Sequence, residues 1–172
     1  MTKRIHNFSA GPAALPEEVL AKAQADFLSY QGEGMSIMEM SHRSKTFLSV
    51  TESARDRVRQ LLSVPDTYEI LFLQGGASTQ FSMVPLNLMG ASGSADLFQT
   101  GSWSKKATKE IQRVGNCRIV ASSEDKNFSY IPSLEGVDLD SEADFVYCCS
   151  NNTIFGTQFK AFPQTGSVPL VA

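Results

Sequence analysis

Apolar positions recur along this chain in two rhythms. Residues 7–16 read as extended and then turn-like, because Pro12 and Pro16 fix φ and remove donors. From Pro16 the spacing becomes helical: Val19, Leu20, Ala23, Phe27 and Leu28 share one face. Pro16 suits a first helical position, and Glu17 and Glu18 suit the positive end of the helix. Gln31-Gly32-Glu33-Gly34 is expected to end it. Residues 35–40 are a short apolar run. A second helix is predicted over 45–63, with Phe47, Val50, Ala54, Val58, Leu61 and Leu62 on one face. Glu52, Arg55, Asp56, Arg57 and Arg59 make its other face, a solvated one, and Pro65 stops it.

The rest of the chain alternates strand-like runs with helical ones. Strands are predicted over 68–73, 95–100, 117–121 and 144–149, with one more beginning near Val168. Helices are predicted over 77–89, where Pro85 should kink or end the first part, and from Gly101-Ser102-Trp103-Ser104 to about Val114-Gly115. Residues 122–136 read as polar and irregular, and Asn151-Asn152 as a turn. The alternation predicts an α/β fold: a mainly parallel sheet flanked by helices and covered on both faces. A last strand only begun at Val168 leaves a sheet edge open to pairing.

The chain centres on the transition from residue 71 to residue 81. A strand-like run meets Gly75-Gly76, and a helix opens with Ala77, Ser78 and Thr79. Glycines let the backbone approach closely, the first helical N–H groups have no internal partner, and the helix dipole favours negative charge there. A phosphate on Ala77, Ser78 and Thr79 is the functional reading; a plain turn between strand and helix is the other. The stretch is neither Gly-x-Gly-x-x-Gly nor a P-loop, which points to a phosphate-bearing cofactor smaller than a dinucleotide. Trp103, the one tryptophan, and Thr153 also fall just past predicted strand ends, where open α/β sheets bind ligands. Trp103 reads either as core filling or as a flat stacking platform. Ser41-His42-Arg43-Ser44 reads locally as a helix cap, with an anion-binding donor cluster as its alternative.

Composition narrows the class. The 172 residues are 42% hydrophobic and 19% charged, which suits a globular domain. A net charge of −3 gives no footprint for nucleic acid, and no apolar run is long enough to span a membrane. The basic N-terminus is not followed by an apolar signal core. Cys117, Cys148 and Cys149 make no disulfide framework and no Cys-x-x-Cys pair. They read as reduced cysteines in strands of a cytoplasmic protein. With only His6 and His42, a histidine metal site is not expected.

Seven segments together carry a resemblance. They are Asn7-Phe8-Ser9-Ala10-Gly11-Pro12-Ala13, Met38-Glu39-Met40-Ser41-His42-Arg43-Ser44, Phe72-Leu73-Gln74-Gly75-Gly76-Ala77, Gln80-Phe81, Val84-Pro85-Leu86-Asn87-Leu88, Thr100-Gly101-Ser102-Trp103-Ser104 and Tyr147-Cys148-Cys149-Ser150-Asn151-Asn152-Thr153-Ile154. In this order and spacing, from about residue 5 onward, they resemble the phosphoserine aminotransferases, pyridoxal-phosphate enzymes of aminotransferase fold type I. The resemblance implies an incomplete large domain of that fold over residues 16–172, preceded by an extended segment over 1–15. It implies that Ala77 and Ser78 hold the phosphate of pyridoxal 5'-phosphate, that Trp103 stacks on the pyridine ring, and that the Thr153 hydroxyl bonds the phenolic oxygen. It implies that Arg43, helped by His42, binds the anionic groups of substrate, with Ala10 near the same pocket. The implied reaction moves an amino group between glutamate and 3-phosphohydroxypyruvate, giving 3-phosphoserine and 2-oxoglutarate in serine biosynthesis, and in some bacteria serving pyridoxine biosynthesis. The implied assembly is a homodimer.

Two departures stand out. Bacterial members often carry Arg where this chain has Ser78, so another group must do that work. The family's Asp partner for the pyridine nitrogen, its Schiff-base Lys and a small C-terminal domain lie beyond the position matching Ala172. None of the chain's lysines (Lys3, Lys22, Lys45, Lys105, Lys106, Lys109, Lys126 and Lys160) stands in the Schiff-base context. The expectation is therefore the N-terminal part of a longer enzyme, inactive by itself. The rival readings are another fold-type-I aminotransferase, against which the Ser41-His42-Arg43 cluster speaks, and a non-catalytic chain that binds a phosphate ligand.

Overall fold

A computed structural model describes residues 4–172; the predicted extended opening thus has its first three residues outside the described ones. The chain divides into two compact units, Met1–Phe72 and Leu73–Ala172.

In the first unit, α1 spans Glu17–Ala25 and α2 spans Lys45–Leu61. Pro16 stands at the N-cap of α1 with φ −55°, and Glu17 and Glu18 occupy its first turn. The helix stops at Ala25, earlier than the glycines suggested, with Asp26 in a non-helical C-cap conformation. The apolar run over 35–40 is a short 3₁₀ turn, Ile37–Glu39, under a reciprocal cap: Ser36 Oγ accepts from Met38 N, and Glu39 Oε2 accepts from Ser36 N. Arg59 ends the α2 region by donating to the carbonyls of Val64, Pro65 and Tyr68. Both helices start where the pattern places them, but α1 ends before Phe27 and Leu28, and neither helix buries a residue; Leu20 of α1 is 40% exposed.

The strand predicted over 68–73 is absent: no ladder among the described residues reaches that segment. Apolar content and strand propensity set a preference, but a partner edge must supply the hydrogen bonds.

The second unit holds a four-stranded sheet. Its strands are β1 Ser94–Gln99, β2 Asn116–Ser122, β3 Phe145–Cys148 and, after a small hairpin, β6 Leu170–Val171. The order is β2-β1-β3-β6, and every pairing is parallel. Helices α3, Gly76–Leu88, and α4, Ser102–Ile111, supply the helical layer. Pro85 does not interrupt α3, which runs three residues further to Leu88.

Strand alternation sorts the core into two faces. Ala95 and Leu97 of β1 join Phe145 and Tyr147 of β3 against Phe81 of α3 and Ala107 and Ile111 of α4. Phe98, Val146 and Cys148 point the other way, to Ala143, Phe159 and Val168. The hairpin, β4 Asn151–Asn152 and β5 Thr157–Gln158, is antiparallel and follows β3 almost at once. The asparagines read as a turn are its first strand, and the turn itself falls at 153–156.

Candidate functional site

The site in the second unit is built from three chain reversals. The first is the start of α3. Gly75 stands at φ +108° and Gly76 at φ +59°, conformations that L side chains rarely adopt. A Cβ on Gly75 would stand 2.7 Å from Thr79 Cβ, so position 75 has no room for a side chain. The first bond back into the turn runs from Thr79 N to Gly75 O at 3.4 Å. The N–H groups of Gly76, Ala77 and Ser78 are therefore left to an outside acceptor, on residues that are all exposed.

The second reversal joins β1 to α4. Ser104 is fully buried, and its Oγ accepts from Thr100 N at 2.9 Å and Gly101 N at 3.0 Å while donating to Gly101 O at 2.9 Å. One hydroxyl thus satisfies the backbone at the mouth of α4 and fixes the start of the helix. Trp103, its second residue, is half-buried, with Lys106 Nζ 4.5 Å from the ring centroid.

The third is the hairpin after β3. Thr153 follows β4 and faces Trp103: the indole Nε1 donates to Thr153 Oγ1 at 2.9 Å. An indole N–H can only donate, so the hydroxyl must accept, and its own proton stays available for another acceptor.

Ala77, Trp103 and Thr153 line one cavity of about 370 Å³ together with Phe81, Tyr147, Cys149, Ser150, Asn151 and Ala172. That size lies within the usual range for small-molecule sites. Ser78 neighbours Ala77 on the same turn but does not line the cavity. No carboxylate or basic side chain is among the lining groups. Burial raises the Tyr147 phenol above its ordinary value and also raises the Cys149 thiol, so both are neutral near pH 7. The cavity therefore offers an anion neutral donors and an aromatic wall.

The remaining expected residues belong to the first unit. His42 and Arg43 lie exposed in the turn before α2, and Ala10 is exposed in the N-terminal segment. The cap reading also holds there: Ser44 Oγ accepts from Phe47 N at 3.2 Å and Ser41 Oγ from Arg43 N at 3.2 Å. The cap uses the serines alone. No carboxylate among the described residues pairs with Arg43.

Sequence reasoning missed Phe81, Tyr147 and Cys149 as lining groups. A periodicity signal existed: Phe81 lies one helical turn after Ala77, and Tyr147 and Cys149 alternate along the strand that leads to Thr153. It also missed Ser104 and Asn152, which act behind the surface and carry no local signature.

A parallel α/β sheet thus carries a glycine-opened helix mouth and an indole–hydroxyl pair beside one cavity of small-molecule size. The chain belongs to the aminotransferase class-V family, whose model matches residues 5–168. It is 54% identical over 170 residues to the phosphoserine aminotransferase of Bacillus cereus, covering 99% of this chain and 47% of that one. Among solved structures it is similar to the phosphoserine aminotransferase of Bacillus circulans subsp. alkalophilus, at 51% identity and a TM-score of 0.92, covering 97% of this chain and 46% of that one. It is also similar to the PLP-bound phosphoserine aminotransferase of Trichomonas vaginalis, at 39% identity and a TM-score of 0.87, covering 97% and 47%. The chain spans about half the length of the relatives it matches.

Proposed function

We propose that these residues are the cofactor-binding part of a pyridoxal-phosphate-dependent phosphoserine aminotransferase, acting on glutamate and 3-phosphohydroxypyruvate in serine biosynthesis. The observation that carries the reading is the cavity shared by Ala77, Trp103 and Thr153. Its donor set fits the cofactor. A phosphate would be held by the unpartnered N–H groups of Ala77 and Ser78 at the positive end of α3. A pyridine ring would lie on the Trp103 indole. Thr153, already accepting from Trp103, would donate its proton to the phenolic oxygen. When bound, pyridoxal phosphate supplies the electron sink that amino-group transfer requires.

The chain's own residues bind and orient. Trp103 fixes the plane of the ring, and Thr153 favours the ionised form of the phenolic oxygen by donating to it. Arg43 offers a planar fork of donors to the anionic groups of the substrate, with His42 beside it in sequence. Ala10 is assigned to the substrate-binding groups by the family resemblance alone. By the resemblance, residues 16–172 are read as the N-terminal part of a large cofactor-binding domain, and 4–15 as an extended lead-in. Family resemblance supports a homodimer at work in the cytoplasm. No helix among the described residues is long and apolar enough to cross a membrane.

The test uses the full-length protein. Titration with pyridoxal phosphate should develop a visible absorption band, and turnover should favour 3-phosphohydroxypyruvate over glyoxylate. Arg43→Ala should raise KM for the phosphorylated substrate by about tenfold to a hundredfold, the worth of one charge-assisted contact. Preference for glyoxylate would overturn the substrate assignment.

A further inference from the structure

We propose that Asn152 is a positioning residue for the Trp103–Thr153 pair. It works by tying the carboxyl end of β1 to the hairpin that presents Thr153. The proposal rests on the reading of that pair as the cofactor-contacting group, and it concerns a side chain that touches neither cofactor nor substrate.

Asn152 is 1% exposed, the one buried residue of the hairpin over 151–158. Its Nδ2 donates to Thr157 Oγ1 at 3.1 Å and to Thr100 Oγ1 at 3.3 Å. The first bond crosses the hairpin to the residue paired with it, and the second reaches the residue just after β1. Its backbone carbonyl accepts from Gly156 N at 2.8 Å and closes the loop over 153–156. Thr153 is the next residue in the chain, so its hydroxyl can move only as far as this knot allows.

The same side chain presses on the other half of the pair. A Cβ on Gly101 would stand 2.8 Å from Asn152 Oδ1 and 3.2 Å from the Phe155 ring. Gly101 caps α4, and Trp103 lies two residues beyond it. The close approach that only glycine permits thus brings the amide against the start of the helix that carries the indole. Phe155, in the loop, is braced from behind by the buried Phe128, ring centroids 5.1 Å apart. A buried amide satisfied by two hydroxyls costs little when all bonds are made and much when one is lost. That asymmetry gives the hairpin one position relative to α4.

The experiment reads the indole ¹⁵N–¹H resonance of Trp103 in the full-length protein without cofactor, assigned by its loss in Trp103→Phe. Thr153→Val removes the acceptor and sets the shift of a released indole. Thr157→Val is isosteric and removes only a partner of Asn152. Gly101→Ala displaces the amide while keeping its hydrogen-bonding groups, and Asn152→Ala removes it. The expected result is an upfield movement toward the Thr153→Val position in all three, with none added when Thr157→Val is combined with Thr153→Val. Pyridoxal phosphate affinity in Thr157→Val should fall about fivefold, the size of one neutral hydrogen bond. A resonance unmoved in Thr157→Val and Gly101→Ala would overturn the proposal, whatever their melting temperatures. Failure of the unsubstituted protein to bind pyridoxal phosphate would instead remove the cofactor reading on which the proposal rests, and the indole shifts would report that separately.

Discussion

Arg118 grips the fully buried carboxylate of Asp96 with two parallel donors, Nε to Oδ1 at 2.7 Å and Nη2 to Oδ2 at 2.8 Å. The two residues are register partners on β2 and β1. Asp140 N donates a third bond to Oδ2 at 2.8 Å, and donating to the Asp96 carboxylate raises the already high pKa of the Arg118 guanidinium further. Removing Arg118 would leave a buried charge with one backbone donor. Arg118→Ala should destabilise the protein by about 3 kcal/mol, the low end for a broken buried pair because the guanidinium is partly exposed. A thermal or urea melt unchanged by Arg118→Ala would show that the pair contributes nothing.

Gly75 links fold to site more directly. Its φ of +108° and the 2.7 Å approach to Thr79 leave no place for a methyl group. Gly75→Ala should cost about 1–3 kcal/mol of stability through backbone strain and should weaken pyridoxal phosphate binding as the first turn of α3 shifts. Gly166→Ala, also at positive φ but with open space around its Cβ position, serves as the strain control. Equal losses of cofactor affinity in the two variants would argue against a role for the α3 turn in binding.

Asp144 gives the protein an acid-sensitive clasp. Its carboxyl lies below the ordinary range, chiefly because of the nearby Gly90 backbone N–H, with Ser92 N donating to Oδ1 at 3.4 Å. A folded-state value below the unfolded one means that the stabilisation is present above the unfolded value. It is lost as pH falls through the folded one. Stability should therefore fall below about pH 4, and Asp144→Asn should flatten part of that acid limb. An acid limb identical in Asp144→Asn would assign the loss to other carboxylates.

Burial raises all three thiols, Cys117 and Cys148 to about 11 and Cys149 above its ordinary value. Cys149 is the one that lines the cavity. Iodoacetamide should alkylate it slowly at pH 7 and faster as pH rises, since the thiolate is the nucleophile. Pyridoxal phosphate should protect it, whereas Cys117 should be indifferent to cofactor. Peptide mass mapping reads both, and alkylation of Cys149 unaffected by saturating cofactor would place the cofactor elsewhere.

Much of the architecture could be read from local pattern because the forces are local. The second helix kept its predicted start at Lys45, where the Ser44 side chain caps it. Three of the four full strand predictions formed within a residue or two, because Ala95, Leu97, Phe98 and residues 145–148 are buried runs that both sheet faces require. Ala77, Trp103 and Thr153 were legible as candidates because each follows a turn signal. The run at 68–73 misled because its apolar residues express a preference that no ladder fulfils. The hairpin at 151–158 was hidden because Asn-Asn reads as a turn, whereas Asn152 is a buried strand residue whose amide is satisfied by Thr100 and Thr157.

The amino-acid sequence by itself therefore determined where helices begin, which strands alternate, and which residues could face an anion or an aromatic ring. These follow from φ restrictions, capping chemistry and periodicity within a few residues. Only the tertiary structure decided that Trp103 and Thr153, fifty residues apart, share a hydrogen bond, and that Phe81, Tyr147 and Cys149 wall the same cavity. It alone showed that Gly101 must lack a side chain because Asn152 fills the space. Such contacts depend on the parallel register of β1 with β3 and on the path of the hairpin beyond it. Long-range packing sets both, and no local pattern encodes it.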